Sequence, residues 1–136
     1  MASFMCDIVT PDAKLASVEA EMVVVPGSEG SMGFLAGHEP LVSVLSDGEA
    51  RIKPAGSGDT KSYVLQGGYV EVSADKVIIL ADRAISSDEI DATAAREQLA
   101  VINGKMEGLS SEELAKTTYA SDKVWFETQL RVVGAA

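Results

Sequence analysis

The sequence predicts an α+β chain in which a β-sandwich is followed by a two-helix hairpin. Three observations carry that expectation. All four prolines and nine of the twelve glycines fall in residues 1–84, where they separate short runs as turn residues do. Within those runs apolar and polar residues alternate with a period of two, the pattern of half-buried strands. Beyond Ile85 the chain becomes rich in alanine and leucine, and two segments open on Ser-x-x-Glu, the capping box of a helix N-terminus. The predicted domains are therefore a sandwich over 1–84 and a helical hairpin over 85–136.

The strands follow in order. "FMCDIVTP" places Phe4, Cys6 and Ile8 on one face against Met5, Asp7 and Val9. "SVEAEMVVV" turns Val18, Ala20, Met22 and Val24 inward against Glu19 and Glu21 before becoming apolar on both sides. "EARIK" alternates Glu49, Arg51 and Lys53 with Ala50 and Ile52, and "AGSGD" at 55–59 is a hairpin turn into "TKSYVLQ". "GGYVEV", the turn "SADK" and "VIILA" supply a further hairpin. Turn signals at this spacing give about eight to ten strands.

The predicted helices come next. Ser86-Ser87-Asp88-Glu89 caps the first, which runs through "IDATAAREQLAVI" and stops at Asn103-Gly104 as a left-handed C-cap. Ser110-Ser111-Glu112-Glu113 caps the second. On that helix Leu114, Thr118, Trp125 and Val132 share one stripe, and Ala115, Tyr119, Phe126, Leu130 and Val133 cover an adjoining one. So broad an apolar surface asks for two packing partners. The first helix and the sandwich supply them on one reading; another subunit, or movement between sites, supplies one on the other.

Composition narrows the function. A length of 136 residues suits one domain, or one with a small appendage. A net charge of -10 argues against nucleic acid, whose phosphates want a basic patch, and against an anionic membrane surface. Apolar runs such as "VVV" and "VIILA" are far shorter than the ~20 residues that span a bilayer, so no lipid insertion is expected. The N-terminus begins no signal or transit peptide. The single cysteine, Cys6, forms neither an internal disulfide nor a Cys-based metal site. A soluble protein of a reducing compartment is the expectation, with no cofactor.

One stretch invites chemistry: "GSEGSMGFLAGHEPL", residues 27–41, holds four glycines and the only histidine, His38. A phosphate cradle would need Gly-Lys-Ser or Gly-Lys-Thr, or G-x-G-x-x-G, and neither occurs. No Lys or Arg lies between Lys14 and Arg51 to balance an anion. His38 beside Glu39 is a conceivable acid–base pair. Neighbours on an extended strand point to opposite faces, however, and no nucleophile elbow or H-E-x-x-H helix accompanies them. A wide connection across the end of the sandwich, or a docking surface made from that connection, remains.

The sequence resembles the epsilon subunits of bacterial F-type ATP synthases, counterparts of the mitochondrial delta subunit, over nearly its whole length. The resemblance is carried by "GSEGSMGFLAGHEPL" with its Gly-His-x-Pro-Leu element, by "DIVTPDAKLASVEAEMVVVPGSEG", by "LQGGYVEV" and "VIILADRAI", and by "QLRV" at 129–132. It implies a ten-stranded β-sandwich and an αα hairpin. It also implies a non-catalytic rotor subunit of the central stalk, coupling proton-driven rotation to ATP synthesis at the cytoplasmic face of the cell membrane through protein contacts alone. Thr10, His38 and Pro40 fall where the family's sandwich meets the gamma subunit. Glu29, Ser31 and Met32 fall in the loop that approaches the polar loops of the c-ring, where Ser31 replaces a glutamate found in some members.

The resemblance gives the hairpin two further expectations. In some members it extends into the head of alpha and beta catalytic subunits and blocks hydrolysis. In some it binds ATP through Ile/Leu-Asp-x-x-Arg-Ala. Here that motif is degenerate: Ile90 and Asp91 are present, but Ala94 stands in the arginine slot. Arg96, about 200° further round a helix, does not substitute. Residues 85–136 carry nine acids and five bases. A weak or absent inhibitory role is expected; the alternative is a nucleotide-sensing regulatory subunit with an inhibitory hairpin, and a small enzyme built on His38 and Glu39 is a third.

Overall fold

The computed structural model describes residues 2–56 and 58–134, within which nine strands precede three α-helices. The strands are β1 Phe4–Val9, β2 Lys14–Gly27, β3 Gly30–Leu35, β4 Leu41–Val44, β5 Gly48–Pro54, β6 Lys61–Gln66, β7 Tyr69–Val72, β8 Lys76–Leu80 and β9 Arg83–Ser86. They hydrogen-bond in the order β4-β7-β8-β1-β2-β5-β6-β9, with β3 on β2. The α+β class is as the sequence predicts; the described strands number nine rather than ten. Part of the predicted 55–59 turn, residue 57, lies outside the described residues.

The long strand β2 belongs to both layers. Its first half pairs antiparallel with β1, and its second half lies between β3 and β5. A register shift between Ala20 and Met22 marks a bulge at the change of partner. The bulge corrects one expectation. Side chains alternate strictly only along an uninterrupted strand, so one extra residue exchanges the two faces. Ala20 is buried, but beyond it Val23 and Val25 fill the core, while Met22 is exposed and Val24 half-buried. Phe4, Cys6 and Ile8 meet Val23, Val25, Ile52, Leu65, Val70 and Ile79 in one apolar cluster drawn from both layers.

Gly68 fixes how the chain enters β7. Its φ is +104°, and an added Cβ would collide with the carbonyl oxygen of Leu80. A side chain there would thus push apart the strands β7 and β8, whose pairing sets Tyr69 beside Leu80.

Residues Glu89–Ala136 form the second of two compact units, Met1–Asp88 being the first. The helices are α1 Ala92–Met106, α2 Ser111–Ala115 and α3 Tyr119–Val132. Two predicted boundaries are corrected. Ser86 ends β9, paired with Tyr63, and Ser87–Glu89 is a 3-10 turn. The N-cap of α1 is Asp91, whose carboxylate accepts the Ala94 amide at 3.0 Å. Sheet pairing thus takes the serine that the local pattern offers to a helix. At the far end Gly104 lies inside α1, a site that costs about 1 kcal/mol relative to alanine, and the left-handed turn is at Gly108, φ +78°.

The Ser110 capping box forms in full: Ser110 Oγ accepts the Glu113 amide, and the Glu113 carboxylate accepts the Ser110 amide. The predicted second helix is nevertheless two helices. Thr117 Oγ1 donates to the Leu114 carbonyl at 2.8 Å and accepts the Tyr119 amide at 3.2 Å. A hydroxyl that satisfies backbone groups locally competes with the helical ladder. The helix α3 packs on α1, with the Lys105 ammonium 5.8 Å from the centre of the Tyr119 ring. It buries Thr128, Gln129 and Leu130, whereas Trp125 and Phe126 stay half-buried.

Candidate functional site

The loops that attracted attention in the sequence lie around the outer face of the layer β4-β7-β8-β1. The hairpin between β2 and β3 turns through Ser28 and Glu29, and the Ser28 amide donates to the Val44 carbonyl at 3.1 Å. That bond ties the turn to the end of β4. Glu29, Ser31 and Met32 thereby share an open depression of 540 Å³ with Val42, Val44 and Tyr69. Glu29 and Ser31 are exposed; Met32 is half-buried and packs against the core.

Thr10 follows β1 at the other side of this layer. Its amide and its Oγ1 both donate to the Ala13 carbonyl, at 2.9 and 3.3 Å, closing the turn into β2. It lines a second depression with Val9, Tyr69 and Leu80. Tyr69 is common to the two depressions and joins them.

His38 and Pro40 lie elsewhere. They precede Leu41, at the opposite end of β4 from Val44 and Tyr69, about 10 Å along the strand. The His38 ring meets Phe34 edge-on with centroids 5.0 Å apart, and Nδ1 lies 2.8 Å from the backbone carbonyl of Glu39. That bond makes Nδ1 the donor. The Glu39 carboxylate is not the partner of the ring, so the acid–base pair that the sequence allows is not assembled. The geometry gives His38 the work of a packed loop anchor.

The sequence reading missed the surface between these loops. Cross-strand pairing puts Val44 beside Tyr69, Tyr69 beside Leu80, and Leu80 beside Val9. This row runs about 14 Å across four strands. Tyr69 (55% exposed), Val44 (51%) and Leu80 (38%) leave much of it bare, and Val42 (67%) lies two positions from Val44 on β4. Exposed apolar side chains gathered in one place mark a contact site more often than scattered ones do. A signal was present: "LVSV" is apolar on both faces of a four-residue strand.

Next to the row, Asp7 faces outward yet is only 3% exposed. Its Oδ2 accepts ion pairs from Lys76 at 3.2 Å and Lys14 at 3.4 Å, and its Oδ1 accepts the Ser17 hydroxyl at 2.7 Å. The Ser17 bond is the largest influence holding the carboxyl below its ordinary 3.8. Burial opposes it, and the two lysines assist. The Cys6 thiol, on the inner face, is pushed up to about 12 by burial and then by the Asp7 charge. It remains a buried thiol rather than a nucleophile.

The motif at the start of α1 is likewise set by local structure. Asp91 uses its carboxylate as the N-cap, Ala94 is exposed, and Ile90 is half-buried. Among the described residues no cluster of three His, Cys, Asp or Glu could hold a metal ion. No helix among them is long and apolar enough to cross a membrane.

The fold class is thus a β-sandwich with a bare apolar row on one layer, followed in the chain by helices. Comparison with known proteins names the family. Residues 3–87 match the family described as ATP synthase, Delta/Epsilon chain, beta-sandwich domain. The ATP synthase epsilon chain of Myxococcus xanthus is 40% identical over 113 residues, covering 83% of this chain and 82% of its own length. The sodium-ion-specific ATP synthase epsilon chain of Propionigenium modestum is 36% identical over 121 residues, covering 89% and 87%. A solved structure of the Euglena gracilis mitochondrial ATP synthase, comprising OSCP, F1 and c-ring, contains a chain of the same fold. Its TM-score is 0.69 at 23% identity, over 99% of this chain and 79% of that one. The chain belongs to the ATP synthase delta/epsilon family, and its close relatives are epsilon chains, subunits of a larger complex.

Proposed function

We propose that this chain is a non-catalytic rotor subunit that grips a gamma-type stalk subunit and the c-ring, transmitting ion-driven rotation to ATP synthesis in a head that it does not itself form. The observation that carries the reading is the bare row Val44–Tyr69–Leu80–Val9. Family membership makes the chain a part of a complex, and such a part needs a protein-binding face. The row supplies one, with Thr10 beside it and the His38-Pro40 loop at the far end of β4. Glu29, Ser31 and Met32 fringe the adjoining depression and would meet the polar loops of the ring. Ser31 brings no charge to that contact. The subunit would be held at the cytoplasmic face of the cell membrane by these protein contacts.

For the hairpin, the proposal is a weak or absent brake on hydrolysis. Asp91 is engaged in capping, the arginine slot holds alanine, and the segment 85–136 is acidic. Each of these weakens recognition of a nucleotide, and the last also weakens attraction to an acidic head.

The test of the docking face is retention. Tyr69→Asp and His38→Asp are introduced separately, and the complex is purified from membranes. A charge amid a desolvated aromatic contact should lower retention by tenfold or more for Tyr69→Asp, since buried aromatic residues carry about 2 kcal/mol or more at interface centres. His38→Asp, at the rim, should cost less. Retention of both variants at the parent level would put the contact on another surface.

A further inference from the structure

The base distribution on the sandwich is uneven. Residues 1–84 contain six Lys and Arg: Lys14, Arg51, Lys53, Lys61, Lys76 and Arg83. Four of them belong to β5, β6 and β9. Only Lys14 and Lys76 belong to the layer that bears the apolar row, and both converge on Asp7. In the pairing ladder Asp7 adjoins Ile78, and Lys14 adjoins Val9. The cluster is therefore continuous with the row.

Two ammonium groups over one buried carboxylate leave one positive charge in excess on a chain of net charge -10. Both lysines remain about half exposed at the side chain, whereas Asp7 is covered. The other acids of this layer do not take up the excess. Among the described residues, Lys14 and Lys76 make ion pairs with Asp7 alone, and Glu19 accepts the Ser3 hydroxyl at 2.7 Å. Holding two flexible side chains on a buried anchor also reduces the ordering that a later contact has to impose on them.

We infer that Lys14 and Lys76, held over Asp7, form an acceptor for a carboxylate of the stalk partner, which would set the register of an otherwise slippery apolar contact. The inference rests on the docking reading above, and names the chemistry of the partner's surface: an Asp or Glu side chain within an apolar patch. Asp7 is a positioning residue for the two cations. Charge complementarity of this kind acts mainly on encounter rate and register.

The experiment uses the F1 assembly of alpha, beta and gamma subunits freed of this chain, immobilised and titrated with the full-length protein at low and at high salt. Lys76→Gln, a half-exposed substitution, should weaken binding about fivefold at low salt and flatten the salt dependence. Asp7→Asn retains both cations and removes their internal partner. It should raise the association rate at low salt and steepen the salt dependence, although a merely structural role for Asp7 predicts weaker binding. Melting curves establish that each variant is folded; should Asp7→Asn fail, Lys76→Gln decides alone. Parent-like affinity and salt dependence for Lys76→Gln would overturn the carboxylate acceptor. Tyr69→Asp, measured in parallel, separates the two readings. Loss of binding there keeps the docking face while the acceptor falls, and unchanged binding removes the face itself.

Discussion

The sandwich and the hairpin reach order by different means. In the sandwich, sixteen buried residues form one cluster, fed by strands distant in sequence. In the helical unit only Ala95, Ile102 and Leu130 are buried among the described hydrophobic side chains. The helices compensate locally, with the Asp91 cap, the Ser110 capping box and the Thr117 hydroxyl bridging two backbone groups. One region is stabilised by long-range packing, and the other leans on short-range hydrogen bonds. A segment held mainly by caps is cheap to rearrange, whereas a closed core is not. The row proposed as a docking face lies on the region with the larger core, where a contact surface keeps its shape.

The strongest way to break this comparison is to separate the regions. Residues 1–88 alone should unfold in one cooperative thermal transition. Residues 89–136 alone should lose helix gradually, because so small a core is marginal and helices of about 15 residues barely hold in water without packing. Circular dichroism on the two fragments decides. A sharp melt from the helical fragment, or aggregation of the sandwich fragment, would mean that the division of labour is wrongly drawn.

A smaller effect is expected from acid. The Asp7 carboxyl titrates below its ordinary 3.8 in the folded chain, so the unfolded chain binds its proton first as pH falls. Its contribution is therefore complete above the unfolded value and is lost as pH drops through the folded one. Asp7→Asn should lower sandwich stability by about 2 kcal/mol at neutral pH, the typical worth of hydrogen bonds to a charged group. It should also flatten the acid limb below about pH 4. Urea titrations across that range check the sign; an unchanged limb would show that the ion pairs leave stability untouched.

Ser110→Ala sharpens the comparison most finely. Loss of the capping box should cost about 1 kcal/mol in the helical unit. Amide exchange should quicken in α2 and leave β1 and β8 at their original rates. Faster exchange throughout the sandwich would show the two regions to be a single cooperative unit.

How much was legible follows the same division of local and long-range causes. Phe4, Cys6 and Ile8 on one face, the turns around β7 and β8, and the Ser110 box could be read because each depends on neighbours in the chain. The Met22 and Val24 assignments failed because a bulge, invisible as composition, reverses the alternation after Ala20. The Ser86 box failed because Ser86 pairs with Tyr63, 23 positions away. Glu29 and Thr10 could be singled out in the sequence, but nothing there says that Tyr69 links their depressions.

The sequence by itself determined the α+β class, the switch from period-two strands to capped helices, and a family resemblance strong enough to name the complex. Those rest on local preferences and on residue identities, which are present before the chain folds. The tertiary structure alone decided the bare row that is proposed as the contact surface. Val44, Tyr69, Leu80 and Val9 come from four strands, and Lys76 of β8 and Lys14 of β2 meet over Asp7 of β1, a cluster drawn from three. Sheet pairing, and not chain order, makes them neighbours, because hydrogen-bond register between strands places side chains that the sequence keeps far apart.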